Sequence, residues 1–174
     1  MAGPIELIVA AYNDDDKADA VLQDIKEHHK NGTILLLNAA VLSKDEKGKA
    51  TIKETADVDA KQGAIFGAVI GGLIGLLGGP AGVIAGAAAG AATGGVTAHN
   101  VDMGFDDKFL KQVEAELTPD SSALIALIEH EWVGKLLKLL EDTDARLLQA
   151  TIAANVAEQL KQAVSDGEEG AAEA

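Results

Sequence analysis

The stretch QGAIFGAVIGGLIGLLGGPAGVIAGAAAGAATGGVTAHNV, residues 62–101, runs for 40 positions without an Asp, Glu, Lys or Arg, in a chain that is 24% charged. Gly78-Gly79-Pro80 divides it into two arms of similar length. In the first arm glycines fall at Gly63, Gly67, Gly71, Gly75 and Gly79; in the second, Gly82, Gly86, Gly90 and Gly94 continue the same interval from Gly78. An interval of four stacks the glycines on one helix face and leaves a groove without side chains, which a neighbouring backbone can approach closely. Each glycine inside a helix costs about 1 kcal/mol relative to alanine, so close packing has to offset several of them per arm. The stretch therefore predicts a glycine-zipper helical hairpin that serves oligomerisation.

The two arms differ. The first carries Ile65, Phe66, Val69, Ile70, Leu73, Ile74, Leu76 and Leu77 opposite its groove, whereas the second, beyond Val83 and Ile84, is alanine and glycine nearly all round. A helix that is small on every side gains area only when other helices enclose it, which places the second arm at the centre of a cluster of copies and the first outside it. Arms of roughly 18 residues reach about 27 Å, close to the thickness of a bilayer core. A membrane and a soluble bundle of hairpins both satisfy that length. Lys47, Lys49, Lys53 and Lys61 give a weak positive-inside signal, diluted by Asp57, Asp59, Asp102, Asp106 and Asp107.

Working outward, Ile5 to Tyr12 reads as a buried strand, and Asn13 with Asp14, Asp15 and Asp16 as the cap and acidic first turn of a helix from Lys17 to Lys30 that stops near Asn31-Gly32. Thr33 to Leu42 is a second strand. A polar turn from Ser43 to Gly48 then leads into a half-exposed partner strand from Lys49 to Thr55, which extends a sheet edge or pairs with another subunit. Beyond the glycine stretch, Asp106 to Leu117 reads as a helix, Ser122 to Trp132 as a strand, Val133 to Leu140 as a helix, Ala145 to Ala153 as a strand and Asn155 to Val164 as a last helix. Two β-α-β units thus flank the hairpin. Paired in one sheet with helices on one face, they give an α+β, ferredoxin-like fold interrupted by the glycine-zipper hairpin. The chain divides into residues 4–60 (first βαβ unit and hairpin strand), 61–101 (the zipper), 102–164 (connecting helix, second βαβ unit and last helix) and 165–174, an acidic tail expected to be disordered.

Lys and Arg total 14 against 28 acidic residues, a formal charge of −14, which argues against nucleic acid as a partner. The absence of cysteine removes thiolate chemistry and fits a cytoplasmic protein, and the start Met1-Ala2-Gly3-Pro4 carries no secretion signal. The expected location is the cytoplasm or the cytoplasmic face of the inner membrane.

At this point the order of motifs resembles a known group. Tyr12-Asn13-Asp14-Asp15, the turn Lys44-Asp45-Glu46-Lys47-Gly48, the glycine hairpin, Gly104-Phe105-Asp106-Asp107-Lys108-Phe109, Leu117-Thr118-Pro119 and Ser121-Ser122-Ala123-Leu124 together resemble a widespread bacterial family of unknown function usually labelled as predicted membrane proteins. The resemblance covers most of the chain up to about Ala153 and implies no reaction, substrate or cofactor. This chain departs from the usual pattern in its alanine-rich second arm and acidic tail.

Candidate chemistry reads as structural. Asp14-Asp15-Asp16 lacks the glycine and distal glutamate of a calcium loop and suits helix capping. Glu129-His130-Glu131-Trp132, taken as strand, puts Glu129 and Glu131 on one face and His130 and Trp132 on the other, a solvated face opposite a packed tryptophan. His28-His29 complements a helix C-terminus, and His99-Asn100 closes the zipper. No nucleotide or hydrolase fingerprint is present, and neither a cofactor nor a metal is expected. The reading is a non-enzymatic, self-assembling homo-oligomer, with or without membrane association. Its rival is a small-molecule-binding or regulatory ferredoxin-like module anchored by the hairpin.

Overall fold

The structure, a computed structural model, describes residues 3–48, 50–54, 105–159 and 161–162, with side chains of 50–54 excluded. The zipper glycines Gly63 to Gly94, His99-Asn100 and the tail 165–174 lie outside the described residues.

The elements are β1 (Ile5–Tyr12), α1 (Lys17–Lys30), β2 (Leu36–Lys44), β3 (Ala50–Glu54), α2 (Asp107–Glu116), β4 (Ser121–Glu129), α3 (His130–Leu140) and β5 (Arg146–Thr151), followed by helical residues 154–159. They make an α+β protein around one antiparallel sheet in the order β3-β2-β4-β1-β5. β1 and β4 sit inside the sheet, and nearly every residue of both is buried; covered on two faces, they read as continuous apolar runs rather than as alternation. β5, with β1 as its one neighbour, alternates half-buried and exposed positions, as a strand at a sheet edge does. β3 extends the opposite edge by pairing with β2, from Lys44↔Ala50 to Ala40↔Glu54, as its composition led one to expect.

The side chains of β1 divide the core. Ile5, Leu7, Val9 and Ala11 face one layer with Phe109 and Val113 of α2 and Ile152, Val156 and Ala157; Ile8, Ala10 and Tyr12 face the other with Val21, Leu22 and Ile25 of α1 and Val133, Leu136 and Leu140 of α3. The two crossover helices α1 and α3 therefore share one face, as expected. The opposite face carries α2 and the helix at 154–159, so helices cover both sides, and that accounts for the unbroken burial of β1 and β4.

The boundary between β4 and α3 corrects the sequence reading. The strand ends at Glu129 and 130–132 are the first turn of a helix, so Glu129, His130, Glu131 and Trp132 do not alternate across a sheet. Glu129 lies opposite Ile5, the first residue of β1, so the pairing partner runs out there, and the His130 amide instead donates to the Pro4 carbonyl at 2.9 Å. Helical spacing then lets Val133, Leu136 and Leu140 reach the core. β2 starts at Leu36 rather than Thr33, with a bulge between Leu36 and Asn38.

α1 stops at Asn31-Gly32 as expected, but its start is built differently. Its C-terminus closes as a Schellman turn, with Gly32 at φ +68° and its amide bonded to the His29 carbonyl while the Thr33 amide bonds to that of His28. At its N-terminus Asp16 makes no side-chain cap. Asp14 Oδ1 accepts from the Asp16 amide at 2.9 Å, and the first turn of the helix is capped from β4: Ser122 Oγ accepts from the Ala18 amide at 3.0 Å and donates to the Asp14 carbonyl.

Candidate functional site

Register gives the sheet two unlike ends. At one, β1 begins at Ile5-Glu6, β4 closes at Glu129, β2 begins at Leu36 and β5 closes at Thr151. At the other stand Tyr12, Lys44, Ser121, Ser122 and Arg146.

The first end holds a polar constellation that sequence reading missed. Glu6 lies within β1 with its side chain 4% exposed. Its Oε1 is 2.9 Å from His130 Nδ1, and its Oε2 accepts from Thr151 Oγ1 at 2.9 Å. Three elements converge here: β1 supplies the carboxylate, β5 the hydroxyl opposite it in the register, and α3 the imidazole from its first residue. A buried carboxylate needs partners because desolvation penalises its charge, and Glu6 has one on each oxygen. A carboxylate can only accept, so paired with one the Nδ1 of His130 is the donor, on a ring whose side chain is 61% exposed. Sequence offered one clue, a single charged residue inside the apolar run Ile5 to Tyr12.

A carboxylate-oriented imidazole is a unit that can hold a metal or move a proton, but both uses need further groups. Among the described residues no three His, Cys, Asp or Glu side chains gather to hold a metal ion. The neighbouring contacts are scaffold: Lys161 Nζ donates to the Gly3 carbonyl, and the Ile152 amide to Ile5 at 2.9 Å. His29, at the C-terminus of α1, accepts the Leu36 amide on Nδ1 at 3.2 Å, a local structural use at that helix end; His28 precedes it on the same turn.

The second end is acidic. Asp14, Asp15 and Asp16 lie before α1, Asp45 and Glu46 in the turn between β2 and β3, and Asp142 and Asp144 after α3. Carboxylates here shape turns: Asp45 Oδ1 accepts from the Lys47 amide at 2.9 Å, and Gly48 completes that turn at φ +75°. Asp14 likewise accepts from the Asp16 amide just before α1. Lys44 Nζ donates to the Leu117 carbonyl at 2.8 Å and Arg146 pairs with Glu116, which fixes the C-terminus of α2 at this end. Tyr12 lies in the core between α1 and α3, its hydroxyl 3.0 Å from Thr143 Oγ1; burial pushes its ionisation above the usual value, and the Thr143 contact works more weakly the other way. Trp132, read above as strand core, lies half-buried on α3 under the Lys135 ammonium, 4.3 Å from the ring centroid.

Among curated proteins and among solved structures, nothing matches this chain. A family match does exist, and its limits differ from those of the resemblance: it begins inside the glycine stretch and runs past Ala153 through β4, α3 and β5, leaving the first βαβ unit outside. Residues 64–165, more than half of the 174, match the family described as protein of unknown function (DUF1269), and the chain belongs to that family.

Proposed function

We propose that this is a non-enzymatic, self-assembling structural protein whose ferredoxin-like sheet domains associate through the glycine-zipper hairpin into a homo-oligomer, in the cytoplasm or at the cytoplasmic face of a membrane. One observation carries the reading: glycine at every fourth position through both arms of a 40-residue segment without charge. Glycine in that register is costly for an isolated helix and useful where backbones pack against one another.

The sheet domain supports this in two ways. The four strands β2-β4-β1-β5, with α1 and α3 crossing on one face, follow the order of a split βαβ fold, with β3 added at the edge. Its buried charge, Glu6, is spent on internal hydrogen bonds, and no buried side-chain nitrogen or oxygen among the described residues lacks a partner. No helix of the described residues is long and apolar enough to cross a membrane, so any membrane contact in this reading belongs to the hairpin.

The test is substitution of Gly71 and Gly86 together by leucine. A side chain in each groove separates the arms, so the particle mass by light scattering drops to that of the monomer while the circular dichroism of the sheet is kept. An unchanged mass overturns the proposal. Fractionation without detergent distinguishes the two settings, a large soluble particle in one and recovery in washed membranes in the other.

A further inference from the structure

Asn31-Gly32, where α1 ends, is the one Asn-Gly pair in the chain; the other asparagines, Asn13, Asn38, Asn100 and Asn155, precede Asp14, Ala39, Val101 and Val156. Asparagine followed by glycine is prone to a reaction of its own. The amide nitrogen of the following residue attacks the side-chain carbonyl carbon, and glycine, without a Cβ, leaves that nitrogen open to approach. Here the Gly32 nitrogen bonds to Asn31 Cγ, the Cγ–Nδ2 bond breaks, and ammonia leaves with the proton that the Gly32 amide gives up. Water then opens the cyclic imide at either carbonyl, giving aspartate or isoaspartate. Asn31 and Gly32 are both exposed, so water reaches them.

The fold holds this pair in a conformation that cannot react. Ring closure requires Asn31 Cβ and the Gly32 nitrogen to eclipse across the Cα–C bond. With Asn31 at φ −82° and ψ 1°, its own nitrogen eclipses the Gly32 nitrogen instead, and Cβ stands a third of a turn away. The nucleophile is also engaged: the Gly32 amide donates to the His29 carbonyl at 3.0 Å, and the Thr33 amide to that of His28 at 3.0 Å. Beyond the turn Ile34 is fully buried and the Leu36 amide donates to His29 Nδ1 at 3.2 Å, so His29 grips the chain both within the turn and after it. The attack has to wait until the turn opens, and its rate is scaled by the fraction of molecules in which it is open.

We propose that Asn31 is a deamidation site held in check by the C-terminal turn of α1, with His29 as the brace that sets how often the turn opens. The product changes this corner of the fold. Isoaspartate adds a methylene to the main chain, so the amides of residues 32 and 33 lose their alignment with the carbonyls of His29 and His28. Either product also puts a carboxylate at the negative end of the α1 dipole, in a chain already at a formal charge of −14. The step is irreversible, and it loosens the link between α1 and β2.

The test incubates the full-length protein at mildly alkaline pH, in native buffer and in urea, and maps its peptides over time by mass spectrometry, with isoaspartate scored by fragmentation. In urea Asn31 reacts before the other four asparagines. In native buffer its rate falls by about tenfold or more, because the turn is open for a small fraction of the time. His29→Ala leaves the Asn-Gly pair intact, keeps the circular dichroism of the fold, and speeds the native rate without changing the rate in urea. Equal wild-type rates in native buffer and in urea overturn the proposal, as does a native rate that His29→Ala does not raise. Another asparagine reacting first in urea overturns Asn31 as the site.

Discussion

Glu6 Oε1 and His130 Nδ1 lie 2.9 Å apart although 124 residues separate them in the chain, and the pair joins the start of the first strand to the first turn of α3. His130→Ala leaves a buried carboxylate with Thr151 as its remaining side-chain partner, and stability should fall by about 1–3 kcal/mol. Glu6→Gln retains the volume and one acceptor and should cost less than His130→Ala. Because the two residues touch, the effects in the double variant should fall short of additive. Urea unfolding followed by the fluorescence of Trp132, the single tryptophan, measures all three. Full additivity would show that the contact carries no coupling.

Ser122 makes the second long-range prediction. Its hydroxyl is fully buried and serves both the Ala18 amide and the Asp14 carbonyl. Ser122→Ala removes the partner from a buried N–H at the start of α1, with an expected loss of about 1–2 kcal/mol, comparable to deletion of a helix cap. Hydrogen exchange at the Ala18 amide should accelerate more than at the centre of α1.

Gly134 should yield a gain. It lies inside α3, exposed, and a Cβ built there meets nothing within 4 Å. Gly134→Ala removes the entropic cost of glycine in a helix and should raise stability by roughly 0.5–1 kcal/mol. A melting temperature that stays the same or falls would argue that this position serves something other than α3 itself.

Tyr12 governs behaviour at high pH. Burial holds its phenol above the ordinary value of 10.0 in the folded protein, with the contact to Thr143 opposing in part. A group whose folded value is raised contributes stability that is complete below the unfolded value and is lost as pH rises through the folded one. Stability should therefore decline above pH 10, and Tyr12→Phe should lack that part of the decline. Tyr12 is the only tyrosine, so the phenolate absorbance of the native protein reports its titration directly. A midpoint at or below that of the unfolded chain would contradict the burial argument.

Local signals carried much of this fold. The apolar runs of β1 and β2, the amphipathic spacing of α1 and the turn around Gly48 are interactions between near neighbours in sequence, so their positions could be read in advance to within a few residues. β4 was read three residues too long because Glu129 to Trp132 has no breaker; what ends the strand is the loss of its pairing partner beyond Ile5, a fact about another part of the chain. The Glu6, His130 and Thr151 constellation was illegible for the same reason. Its members are scattered over 145 residues, and only the strand order β4-β1-β5 brings them together.

The sequence by itself determined the element types, the acidic balance and the four-residue glycine register, since periodicity and charge are properties of the chain whatever its path. Tertiary structure alone decided which strands are neighbours, that both sheet faces are covered, and that Ser122 caps a helix more than 100 residues away. These follow from long-range pairing, in which each strand finds a partner for its backbone polar groups and each apolar face finds cover, and no local pattern encodes that choice.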